Sequence, residues 1–532
     1  MKTILLLFVS IIVFTNTLLS QKLESVISKT EMYEDFDSLL SIVSNANPHL
    51  EIYKKTIGID VINEMRKRRV YIDTISSLTS YYIHVALTLR LIPENHTRLL
   101  KGRDVERVGS WYKEHYPNYF ESSTFNNYKK IDEGFMAYYG KVEGNFRKII
   151  RSYDIPLSYI NGDFYALRPI SIISKKTKDT IITINSGDKL LKINGYSVDS
   201  FIRCHYDEYT YAFHINKWDN NNKLFYNEQP LKNSYLYGKD VYLEFYDNKT
   251  GRKKNVHYIG KDIQRFFKSD NYLGSTNKYK HIKDKVLYFD KILYIKITKM
   301  DFDKLSYFKN EILKYKDSAI NRVVIDVRDN GGGSDFLWEG ILSAISYKTL
   351  CRHQRLGIRN WKYLNSFVNS KFDSLAIYHD SILNQDFRLL TDDDECSKII
   401  PDSNSINYSG KIYLLHNGNS FSSATAFVTF ALGSNKIVAV GESNGYLGGY
   451  GISPFLFQLP YSKIMFVMHS TVHIPVRATN ANDYYWNKTE LKVSTTPYFE
   501  SLMYAYSNFD IFTEDFLKNK DLYFKKVLEI KD

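Results

Sequence analysis

The chain reads as a multidomain α/β protein: a helical N-terminal domain, a β-rich middle domain and an α/β core. Three observations lead to this reading. From residue 286 to about 476, short apolar runs rich in Val, Ile and Leu alternate with helical repeats, the pattern of a mainly parallel sheet with helices on its faces. Two of these runs stop at polar turns rich in glycine or serine, RVVIDVRDNGGG at 322–333 and KIYLLHNGNSFSSATAFVTFALGS at 411–434. The length of 532 residues exceeds what one hydrophobic core fills, so two or three domains are expected.

The opening stretch, MKTILLLFVSIIVFTNTLLSQ, has one lysine, an apolar core over 4–14 and small or polar residues before Gln21. It reads as a signal peptide over 1–20 and implies a secreted or periplasmic protein. The apolar core is short for a membrane span, and no later segment offers about 18 uninterrupted apolar residues, so no stable membrane insertion is expected. No cysteine follows the apolar core, which argues against a lipid anchor. Cys204, Cys351 and Cys396 leave room for one disulfide and exclude a disulfide framework. The net charge of +12 comes from 71 basic and 59 acidic residues interleaved along the chain. That is a solvated surface, and nucleic acid is not expected as a partner.

The helical domain is expected over 21–160. Phe36, Leu39, Leu40 and Val43 recur at helical spacing, and DTISSLTSYYIHVALTLRLI at 73–92 supplies a longer apolar-faced helix. Pro93 ends it, and Glu94, Asn95, His96 and Thr97 follow. The β-rich domain is expected over 161–285. Within it SGDKLLKINGYSVDSFI at 186–202 resembles the G-D-x-[IL]-L-x-[IV]-N-G turn of PDZ domains, with Gly187 and Gly195 in tight turns and Leu190, Leu191 and Ile193 in the core. Such a domain would bind an extended peptide along a sheet edge. The Gly-Leu-Gly-Phe loop that captures a C-terminal carboxylate is missing, so a structural or gating role stays open.

The α/β core is expected over 286–532. Strands are predicted at 293–297, 323–327, 412–415, 437–440 and 464–468, helices at 302–315, 336–347 and 422–432, and a polar insertion at 352–407. In such sheets ligands sit beyond the strand ends. Both special turns follow strands, so they can meet on one edge. There a serine at a helix N-terminus would find unpaired N–H groups suited to developing negative charge.

These motifs resemble peptidase family S41, the carboxy-terminal processing and tricorn-like serine proteases. The family's D-[LV]-R-x-N-x-G-G element falls on 326–333, its S-x-S-[AS]-[AS] turn on 420–424 and its V-G-E-x-T-x-G-x-G segment within 436–451. The resemblance implies a peptidase core of the ClpP/crotonase-like type, a peptide or protein substrate, and neither metal nor cofactor. It puts the nucleophile at Ser422, a turn or capping residue at Ser420, and oxyanion donors at Ser423 and Gly333, or Gly332 if the alignment slips by one. The lysine base of the bacterial processing proteases falls on Leu447, and Lys436, which precedes the next strand, is expected to lie too far from the serine turn. This points to the tricorn-like branch, in which His96 of the His-Thr element is the base and Glu490 takes part, with Asp483 as its competitor. Tyr498 stands where that branch carries an Asp after the proline. The alternative from another class is a catalytically inactive peptide- or lipophile-binding protein of the same fold. An esterase is disfavoured, because no G-x-S-x-G elbow surrounds Ser422.

Overall fold

The computed structural model describes residues 27–94 and 96–100, parts of 157–259 and most of 282–531. The expected signal peptide, the second half of the expected helical domain, Cys204, Cys396, Leu447 and Tyr498 lie outside the described residues. Four helices open the described chain: α1 (Lys29–Ala46), α2 (Leu50–Ile57), α3 (Val61–Lys67) and α4 (Leu78–Leu89). Helix α1 starts on a capping box, in which the Ser28 side chain accepts from Glu31 N–H and the Glu31 carboxylate accepts from Ser28 N–H. Its apolar stripe of Met32, Phe36, Leu39 and Val43 is buried. Strand β1 (Arg98–Leu99) follows α4.

The β-rich region contributes the antiparallel strands β2 (Leu157–Ile160), β3 (Asp163–Ala166), β4 (Lys189–Ile193), β5 (Asp240–Asp247) and β6 (Arg252–Ile259), ordered β6-β5-β4-β3-β2. Of the residues singled out at 186–202, those at 186–197 form the turn before β4, β4 itself, the turn after it and a short strand, Tyr196–Ser197, that pairs back on β4. Gly187 and Gly195 take φ of +88° and +84° there, the conformation that glycine adopts without steric cost.

The α/β sheet is built from β7 (Lys285–Phe289), β8 (Ile292–Lys296), helix α5 (Leu305–Leu313), β9 (Arg322–Asp326) and helix α6 (Asp335–Ile345). An insertion with β10 (Gln354–Arg359), β11 (Ile377–Asp380) and β12 (Gln385–Thr391) comes next. The chain then returns with β13 (Ile412–His416), helix α7 (Ser423–Leu432) and β14 (Ile437–Gly441). After β15 (Phe455–Gln458), β16 (Met465–Met468) and β17 (Thr471–Pro475), the short β18 (Leu491–Lys492) completes the sheet, and helices α8 (Glu514–Asn519) and α9 (Leu522–Leu528) close the chain. The sheet order is β7-β8-β9-β13-β14-β18, parallel except for the β7–β8 hairpin. Helices α5, α6 and α7 cover one face and α8 and α9 the other. Strands β8, β13 and β14 are buried along their whole length, which is why they read as continuous apolar runs.

The N-terminal helices are not sealed off from the rest. They share one apolar core with β10, β12, the β15–β16 hairpin and β17. Asp35 of α1 accepts the backbone N–H groups of Tyr461 and Ser462, each at 2.7 Å, at the tip of the β15–β16 hairpin. Strand β1 pairs antiparallel with β16, Arg98 opposite Val467 and Leu99 opposite Phe466. Cys351 is in a disulfide. Among the described residues no helix is long and apolar enough to cross a membrane.

Candidate active site

Strands β9 and β13 are parallel neighbours in register, Asp326 opposite Leu415, so the glycine turn and the serine turn leave the same sheet edge side by side. Beneath the glycine turn lies a buried ionic cluster. The Asp326 carboxylate accepts from Tyr294 Oη at 2.7 Å, from Lys296 Nζ at 3.0 Å and from the Arg328 guanidinium. Arg328 also makes a bidentate pair with Asp521 at 3.0 and 2.7 Å, with its guanidinium against the Tyr523 and Phe512 rings. Burial works to raise the Asp326 pKa, but the charges of Arg328 and Lys296 outweigh it and hold the group well below the usual carboxylate range. Asp521 in turn caps α9 through the N–H groups of Tyr523 and Phe524. The Asp-Val-Arg part of the motif therefore anchors the turn from below.

The loop above it is fastened by side-chain amides. Asn330, fully buried, donates to Ile297 O and accepts Gly332 N–H at 2.8 Å, while its carbonyl accepts Phe421 N–H at 2.9 Å. The Asp329 carboxylate accepts from the side chains of Asn417 and Asn419 at 3.0 and 2.8 Å. Ser420 donates its hydroxyl to Val327 O at 2.9 Å and accepts Asn417 N–H at 3.1 Å. Ser420 is thus a strut between the turns.

Ser422 sits at the entry to α7 with φ +56° and ψ −121°, and its side chain makes no capping bond. A non-glycine residue in this region is strained by about 1–3 kcal/mol, and such residues cluster at functional sites. Gly332 explains how the neighbouring turn approaches. A Cβ there would lie 2.5 Å from Ser422 Cβ, 2.7 Å from Phe421 O and 2.9 Å from Ser423 N. Gly333 faces away, since its added Cβ would collide with Met300 O at 2.1 Å. The Gly332 amide is taken by Asn330. The amides of Gly333 and Ser423 have no acceptor among the described residues.

His96 reaches the serine turn from the N-terminal helical region. The antiparallel register of β1 with β16, carried two residues beyond Arg98 and Val467, sets His96 across from His469. The His96 ring stacks on Phe421, the residue before Ser422, with centroids 4.6 Å apart and planes at 22°, and lies 5.5 Å from the His469 ring. Glu94, only 3% exposed, accepts His96 N–H, and its carboxylate oxygen lies 3.8 Å from His96 Nδ1. Burial pushes the Glu94 pKa up to about 7, against hydrogen bonds that lower it. His469 is held well below the usual imidazole range, mainly by burial and then by His49 and His96. His49 stacks on His469 at 5.4 Å, and burial lowers its own pKa to about 4.

Residues 291–476 match the sequence profile of Peptidase family S41. That stretch, which holds both special turns, is what this chain shares with the S41 family. Among solved structures it is similar to mature CPAF (TM-score 0.51, 12% identity, 93% of this chain and 99% of that chain). It is equally similar to mature CPAF complexed with lactacystin (TM-score 0.51, 12% identity, 90% and 97%). The photosystem II D1 C-terminal processing protease is more distant (TM-score 0.37, 10% identity, 88% and 94%). At these identities the likeness speaks for the fold. No curated protein matches the chain.

Within the matched region, Ser422, Ser423 and the loop glycines meet on one sheet edge, and His96 joins them. The other expected participants do not. Glu490 directly precedes β18, whose Leu491 pairs with Val440, and its neighbours are the Ala439 backbone and Lys411 at the start of β13. Glu490 is thus set back from the edge that carries Ser422. The Asp483 carboxylate accepts N–H groups of Thr479 and Asn480 in a surface turn. Lys436 precedes β14 at the opposite end of the sheet, where Ile412 N–H bonds to its carbonyl and its Nζ donates to Ser409 O at 3.2 Å. Sequence reasoning missed Glu94, His469 and Phe421. Glu94 stood two residues before His96 and was readable as a local carboxylate. His469 gave no signal, because only strand pairing brings it near.

Proposed function

We propose that the protein is an exported serine endopeptidase of the S41 type that hydrolyses peptide bonds through an acyl-enzyme on Ser422, with His96 as general base. The observation that carries this reading is the His96 ring stacked on Phe421, beside a serine whose backbone is strained at a helix N-terminus. His96 accepts the Ser422 proton as Oγ attacks the scissile carbonyl. The amides of Ser423 and Gly333 are the candidate donors to the oxyanion, Ser423 being the first residue of α7, where the helix dipole adds to the N–H. His96 then returns the proton to the leaving amine, and water repeats the sequence on the ester. Glu94 is the carboxylate beside the base. In its ionised form it favours the imidazolium and fixes the ring. The β-rich region would act as a PDZ-like module that presents or gates the substrate chain.

The test is labelling with a serine-directed fluorophosphonate across pH. Wild type should label and hydrolyse peptide, with kcat/KM rising through a group of near-neutral pKa. Ser422→Ala should lose both labelling and hydrolysis. His96→Ala should lose most of the acylation rate, on the order of 10²-fold or more, while remaining folded. Labelling that persists in Ser422→Ala, or full activity in His96→Ala, would sink the assignment. A folded wild type that never labels would instead be an inactive binding protein.

A further inference from the structure

The groups around His96 form a set of ligands as well as a relay. Glu94, His96 and His469 each offer one donor atom, and the three donor atoms lie within 4.8 Å of one another. Two of them are ends without partners in the protein interior. Glu94 Oε1 and His469 Nδ1 are buried, and among the described residues neither has a hydrogen-bond partner; their residues are only 3% and 2% exposed. Buried polar atoms are rarely left in this condition. Two imidazoles and one carboxylate make the donor set of a four-coordinate zinc site with one position left for water or another oxygen.

We propose that Glu94, His96 and His469 form a reversible zinc site, and that Zn²⁺ bound there switches the peptidase off by occupying its base. This rests on His96 serving as the base, but the metal site itself does not. Zinc ligands sit about 2.0–2.2 Å from the ion, so the three donors must draw together from their present spacing. His96 is the partly exposed member of the trio and the other two are buried, so its side chain is the one with room to move. Burial keeps His469 neutral, which is the ligating form. A metal on His96 removes the lone pair that would accept the Ser422 proton, so inhibition needs no conformational change elsewhere.

The experiment uses the full mature chain without an affinity tag, in the Ser422→Ala background, so that binding is read without turnover. Zn²⁺ is titrated against a chromophoric chelator, and Co²⁺ is added separately to record the visible absorption of a low-coordinate nitrogen and oxygen site. The expected result is one Zn²⁺ per chain, at least tenfold weaker binding in Glu94→Gln and in His469→Gln, and loss of the Co²⁺ band in both. Wild-type acylation should fall in proportion to zinc occupancy and return with chelator. Circular dichroism checks that each variant is folded, and Glu94→Gln keeps the shape of the site if His469→Gln does not fold. Zinc binding that is absent, or that is unchanged in folded Glu94→Gln, overturns the proposal. Hydrolysis that depends on Ser422 but ignores zinc would leave the peptidase reading standing and remove only the switch.

Discussion

The strained backbone at Ser422 makes a stability prediction that is independent of any substrate. At φ +56° and ψ −121° a Cβ atom is unfavourable, at a cost of roughly 1–3 kcal/mol. Ser422→Ala keeps the Cβ and removes a hydroxyl that makes no capping bond, so it should change stability by less than about 0.5 kcal/mol. Ser422→Gly removes the Cβ and with it the strain. Glycine gives back about 0.5–1 kcal/mol through the greater freedom of the unfolded chain, which leaves it about 0.5–2 kcal/mol more stable than the alanine variant. At about 2–4 °C per kcal/mol for larger domains, the melting temperature should rise by a few degrees. Both variants should be inactive, so stability alone distinguishes them. The assay is urea denaturation followed by tryptophan fluorescence, because Trp338 stacks on Phe427 of α7 at 4.9 Å and reports the helix that Ser422 begins. Combining each variant with Gly332→Ala sharpens the test. The Cβ added at 332 would meet Ser422 Cβ at 2.5 Å, so its cost should be smaller in the Ser422→Gly background. A glycine variant no more stable than the alanine variant would mean that the serine is not held in this conformation.

Gly332→Ala alone should fold less stably and lose roughly 10²-fold in turnover by displacing the serine turn, whereas Gly333→Ala, whose Cβ would sit 2.1 Å from Met300 O, should disturb folding first; soluble yield and peptide hydrolysis tell the two apart. Asp521→Ala should destabilise the core by about 3–5 kcal/mol, because Arg328 would stay buried with only part of its charge matched; a shift in the urea midpoint below 1 kcal/mol would remove that role. Glu94 ties stability to pH. Burial raises its pKa from 4.5 to about 7, so the folded state holds a proton that the unfolded state has released between those values. Stability should therefore be highest below about pH 4.5 as far as this group is concerned, fall by up to about 3 kcal/mol as pH rises to 7, and stay level above. Glu94→Gln should flatten that slope in stability curves measured across pH.

Period and punctuation made the α/β core readable. Strands buried on both faces must be apolar almost throughout, so 323–327 and 412–415 stood out, and the turns that follow them were legible because close backbone approach at Gly332 demands glycine. Ser422 came from its place in the serine turn, and the structure adds that its backbone is strained there. Sequence spacing could not choose between Gly332 and Gly333, because adjacent glycines differ only in where the backbone points them. Nor could it find the neighbours of His96. Thirteen histidines are spread along the chain, and His96 and His469 are hundreds of residues apart. They meet because β1 pairs with β16 in one register, and that register depends on the N-terminal helices packing into the same core as the β15–β16 hairpin. Local sequence thus determined the two turns and the nucleophile candidate, whereas long-range packing decided which carboxylate and which histidines stand beside it, since burial and strand pairing are properties of the whole fold.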